Sequence, residues 1–95
     1  MANVLQNDAA TVMWHNIDRA IEEAGGRIGD PRFLRAVLFS DAAVFVDSPA
    51  TEDDIRDQVY YRLSTAGAST MPKPEQEDFV TKCVAAILTA RGSHS

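Results

Sequence analysis

Fourteen carboxylates, two histidines and one cysteine are the side chains in these 95 residues best suited to acid–base, thiolate or metal chemistry. Nucleophilic catalysis needs a base beside a Ser or Cys and a third group to orient that base. His15 and Asp18 stand three apart, on one face if the segment is helical, and form the one imidazole–carboxylate pair at that spacing. Surface pairs of this kind mainly support a helix, and the spacing brings no Ser or Cys to them. Cys83 falls on an apolar stripe, where a cysteine acts as a small hydrophobe with a raised pKa. Metal sites gather several ligands; His15 lies on a polar face, His94 in a small polar tail, and no CxxC, HExxH or calcium-loop spacing occurs. The glycines of GGRIG (25–29) have neither a preceding strand nor a Lys-Ser/Thr to complete a phosphate loop. The chain is therefore expected to be no enzyme, with no catalytic residue, metal or cofactor.

The elements that would position these groups are four amphipathic helices. Asn7 or Asp8 can cap a first helix over 8–24, with Ala10, Met13, Trp14, Ile17, Ala20, Ile21 and Ala24 at spacings of three and four, and Gly25-Gly26 to stop it. Asp30-Pro31 is a start signal, a carboxylate for free N–H groups followed by a fixed φ, and predicts a helix over 31–47. That segment, DPRFLRAVLFSDAAVFVD, is apolar on every side, and such a helix is expected at the centre of a fold. A break at Ser40-Asp41 and a buried strand over AAVFV are alternatives, since short apolar runs are ambiguous. Thr51 with Glu52, Asp53 and Asp54 predicts a helix over 51–66, with Ile55, Val59, Leu63 and Ala66 inward and Gly67 as its end. ASTMPKP (68–74) reads as a loose linker. Pro74 and Glu75 open a helix over 75–91, with Arg91 at its negative end and Gly92 closing it. Short connections suit antiparallel neighbours, so the expected architecture is one all-α domain over 1–95, a bundle of about four helices.

One dipeptide carries a resemblance. Asp47-Ser48 resembles the Asp-Ser-Leu site at which acyl carrier proteins, small acidic helical proteins, attach their prosthetic group at a helix start. Pro49 stands in the third place and the acidic helix is displaced, so the likeness covers two residues and the family's function is not carried over.

The balance of charge narrows the partners. The formal net charge is −5 and the basic residues are scattered singly, so direct nucleic-acid binding is not expected. No apolar run approaches the roughly 20 residues that span a bilayer, and MANVLQNDAA lacks the features of a signal peptide. One cysteine allows no internal disulfide. These features point to a cytoplasmic protein with no membrane partner.

Surfaces are what remain. Val84 and Leu88 widen the apolar arc of the fourth helix and are expected to stay open, with Trp14, Tyr60 and Tyr61 at stripe edges as anchors; Val4 and Leu5, folding back, are the alternative cover. The first expectation is a small acidic interaction module, an adaptor, regulator or homodimer, that binds another protein or itself through that face. The second is an acidic inhibitor of a nucleic-acid-binding protein, of the phage-encoded anti-defence type, acting through Glu52, Asp53, Asp54 and Asp57. The third is a small-molecule or acyl carrier domain.

Overall fold

The computed structural model describes residues 2–68 and 70–94, and the side chains of 9–68 and 70–92. Four helices follow in order: α1 (Ala2–Ala24), α2 (Pro31–Val46), α3 (Glu52–Thr65) and α4 (Lys73–His94), with a 3-10 turn at Gly25–Arg27. No strand occurs among the described residues, and α2 runs unbroken through Ser40 and Asp41. The chain is an all-α bundle.

Local chemistry explains the starts. The Asp30 carboxylate accepts from the Phe33 N–H at 3.1 Å while Pro31 supplies the first helical φ. At α3 the Asp54 N–H donates to Thr51 Oγ1 at 3.2 Å, and the Thr51 N–H donates back to Asp54 Oδ2 at 3.1 Å. This capping box satisfies two otherwise free N–H groups. In α4 the N–H groups of Glu75 and Gln76 both reach the Pro72 carbonyl at 3.0 Å, so the helix opens slightly ahead of the expected 75.

The stops divide by backbone angle. Gly25 (φ +56°) and Gly67 (φ +80°) adopt left-handed conformations that side chains resist, and α1 and α3 end there. Gly92 is not among the glycines with positive φ, and α4 passes through it to His94 instead of closing. A glycine in helical conformation only costs about 1 kcal/mol. At the other end, α1 begins at Ala2 and not at 8; no Gly or Pro interrupts residues 2–10. The side chains of Asn7, Asp8, Val4 and Leu5, expected as caps and cover, lie outside the described residues.

Packing changes which helix is central. Both α2 and α4 touch all three other helices, α1 and α3 flank them, and the most extensive pairing is α1 with α4. Only Leu34, Leu38 and Ala42 of α2 are buried, whereas α4 buries Phe79, Val80, Cys83, Val84, Ala86, Ile87 and Ala90. The expectation of an enclosed 31–47 helix is therefore corrected: α4 is the enclosed helix. Its Cys83, Ala86 and Ala90 are small enough to let neighbours approach, while α2 keeps an outward apolar side. The linker reading of 68–74 is corrected too, because Ala68 and Met71 are buried and the Gln76 amide donates to the Met71 carbonyl at 2.8 Å. Ile28, between α1 and α2, joins the same core.

The two connections at one end of the bundle are paired. Gly29 N–H donates to the Gly67 carbonyl and Asp30 N–H to the Ala66 carbonyl, each at 2.9 Å. A Cβ on Gly29 would lie 3.2 Å from both carbonyl oxygens, so close approach requires glycine there.

Candidate functional site

α2 and α3 are joined through a half-buried ion pair. Arg62 Nε and Nη2 donate to the two Asp41 carboxylate oxygens at 2.9 and 3.2 Å, and the Gln58 amide donates to Oδ2 at 3.3 Å. The hydrogen bond to Asp41, with the carboxylate's charge, holds the Arg62 pKa above its ordinary value. The fork of two parallel bonds fixes the guanidinium plane, and the same guanidinium carbon lies 5.7 Å from the centre of the Tyr61 ring. Tyr61 is thereby held beside the α2–α3 seam.

Helical spacing places apolar residues along that seam. Val44 is three residues after Asp41, Val37 four before it, and Phe33 four before that, so all three run along one side of α2. Val44 is 65% exposed, Tyr61 58% and Phe33 40%, with Val37 half-buried. On α3, Asp57 is four residues before Tyr61 and Asp53 four before Asp57, which makes an acidic ridge running on from the tyrosine. Both aspartates are exposed and have no partner among the described residues.

The expected site residues are only partly brought together. Tyr61, Asp53 and Asp57 share the outer side of α3, and Tyr60 is half-buried against the core. Glu52 pairs with Arg56 at 3.9 Å and Asp54 serves the capping box, so half of the acidic group acts within its own helix. Trp14 stands elsewhere: its ring centre is 6.2 Å from that of Phe39, on the α1 side of α2. Val84 is 3% exposed and Leu88 half-buried, which corrects the expectation of an open arc on α4. α4 has neighbours on three sides and its wide arc is consumed by them. Phe33, Val37 and Val44 belong to the segment that sequence reasoning placed at the centre of the fold; their signal was the all-round apolarity of α2, of which only the side carrying Leu34, Leu38 and Ala42 is buried.

The groups first considered for chemistry are placed apart. His15 lies 3.5 Å from Arg19, while Asp18 receives Arg35 from α2 and not His15. Cys83 is fully buried, and burial pushes its thiol up to about 12. Ser48 is half-buried, follows the end of α2 and accepts from the Ala50 N–H at 3.0 Å. No group of three or more potential metal ligands occurs among the described residues, and no helix there is long and apolar enough to cross a membrane. A groove of about 470 Å³ lies between the end of α1 and the start of α2, floored by Ile21 and Ile28 and flanked by the Asp18–Arg35 pair.

Compared with protein-family models, curated proteins and solved structures, the chain matches none.

Proposed function

We propose that this chain is a small non-catalytic protein-interaction module whose contact surface is the α2–α3 face. The observation that carries the reading is the exposure of Val44, Tyr61 and Phe33 along one seam while a full set of other apolar residues already forms the core. Single exposed apolar residues are ordinary, but several along one side of a helix with an aromatic side chain near them are what interfaces use. The test combines sedimentation velocity with capture from native source lysate, using wild type and Val44→Glu. A stoichiometric protein partner or a self-associated species, lost in Val44→Glu with helicity preserved, is the expected result. A monomer that captures nothing, or an association indifferent to the substitution, overturns it.

A second reading, an acidic inhibitor of a nucleic-acid-binding protein, is favoured by the exposed, unpartnered Asp53 and Asp57. Binding would then vanish in high salt and in the double variant Asp53→Lys, Asp57→Lys, yet survive Val44→Glu.

A further inference from the structure

We propose that the outer side of α2 receives a second copy of this chain, as an antiparallel two-fold pair of α2 helices. The assignment rests on the interaction-module reading and names its partner. Buried Leu34, Leu38 and Ala42 mark the inner side of the helix. At about 100° per residue, Phe33, Ala36, Val37, Ser40, Ala43 and Val44 fall on the opposite half. All are exposed except half-buried Val37, and none carries a charge. Their spacings of three and four run for about three turns, the period of a helix-pairing seam. Ala36, Ser40 and Ala43 are small enough for a second helix to lie close, and Phe33, Val37 and Val44 give the seam its apolar edge.

Charge at the two ends of the stripe selects the occupant and its direction. Exposed Arg32 stands at the start, with no partner among the described residues, and exposed Asp47 stands just past the end. A two-fold contact uses one patch on both subunits. In the antiparallel sense it brings Arg32 of each copy near the level of Asp47 of the other, at the negative end of that helix. Phe33 of each copy then lies beside Val44 of the other, on one flank of the seam. A parallel pair would set Arg32 against Arg32 and align the two helix dipoles. The stripe calls for an uncharged surface with opposite charges at its ends in reversed order. Turned end for end, this chain presents that surface itself.

Sedimentation velocity and thiol cross-linking test the pairing and its direction. Wild type should sediment as a concentration-dependent dimer. Val44→Glu and Ala36→Glu should each weaken association at least about tenfold with helicity preserved. Val12→Glu, at a 53% exposed position on α1, should change nothing. Arg32→Glu chains mixed with Asp47→Arg chains should associate more tightly than either variant does with itself. The native thiol of Cys83 is buried, so placed thiols react selectively. With a short bis-maleimide, differently tagged Phe33→Cys and Val44→Cys chains should link to each other in preference to themselves. A chain still monomeric at about 100 μM, association indifferent to Val44→Glu, or preferential self-linking of each cysteine variant overturns the proposal. If the chain is monomeric while lysate capture yields another protein that Val44→Glu releases, only the second-copy assignment falls. If both fail, the interaction-module reading falls with it.

Discussion

Arg91 in α4 donates through Nη2 to the main-chain carbonyl of Phe45, in the last turn of α2, at 2.8 Å. Nη1 of the same guanidinium reaches the Ala50 carbonyl at 2.9 Å. The expected role for Arg91, a cation at the negative end of its own helix, is thus met across the bundle: it serves the end of α2, where carbonyls lack helical partners. Its Nε is buried with no partner among the described residues.

Removing this clamp should weaken the whole fold. Arg91→Met leaves the Phe45 and Ala50 carbonyls short of a charged donor, and a loss of about 1–3 kcal/mol is expected. Arg91→Lys, with one point charge and no fork, should fall between the two. Urea unfolding followed by circular dichroism checks the order; Arg91→Met as stable as wild type would contradict it.

Three glycine substitutions should separate by geometry. Gly29→Ala places a methyl 3.2 Å from two carbonyl oxygens, and Gly67→Ala forces a side chain into φ +80°. Each should destabilise by about 1–2 kcal/mol. Gly26→Ala meets nothing within 4 Å and has no positive φ, so it should be neutral or stabilising by up to about 1 kcal/mol. Thermal melts of the three variants read this directly.

Thr51→Ala removes one half of the capping box. The expected loss is about 1 kcal/mol, with Thr51→Ser retaining most of the stability. Hydrogen exchange at Asp54, whose N–H donates to Thr51 Oγ1, should quicken in the alanine variant and stay slow in the serine one.

Cys83 predicts the alkaline limb of stability. Its thiol is held neutral up to about 12 by burial, whereas an unfolded thiol ionises near its ordinary value. Between those values the unfolded state carries fewer protons than the folded one, so stability falls as pH rises, by up to about 1.4 kcal/mol per pH unit. Below the ordinary thiol value this contribution is fully present. Cys83→Ala should be less stable at neutral pH through a cavity, yet show a shallower alkaline decline. A thiol reagent should label native wild type only as fast as the protein opens.

Much of the frame was legible because local chemistry decides it. Asp30-Pro31, Thr51 with Asp54, and glycines 25 and 67 act over three or four residues, and each works as its residue types require. Which apolar faces are covered is a different kind of question. The apolar arc of α4 and the all-round apolarity of α2 look alike in one dimension; the arrangement of neighbours buries Val84 and leaves Val44 open. The outward placement of Tyr61, Asp53 and Asp57 on α3 was legible from helical spacing, and so was the position of Trp14 at a stripe edge of α1. Stripe position follows from helical spacing, but which stripe edges meet is set by helix pairing. The Asp41–Arg62 pair, twenty-one positions apart in the chain, left no short-range sign.

The central place of α4 also sets an order on biogenesis. During synthesis α1, α2 and α3 emerge before the helix that all three touch. Until it follows, Ile17, Leu34, Leu38, Ile55 and Leu63, each about 1% exposed or less in the finished fold, have no complete cover. The nascent chain therefore passes through an interval in which its inner and outer apolar stripes are equally open to chaperones and to other chains. Completion of α4 closes the first and leaves only the second.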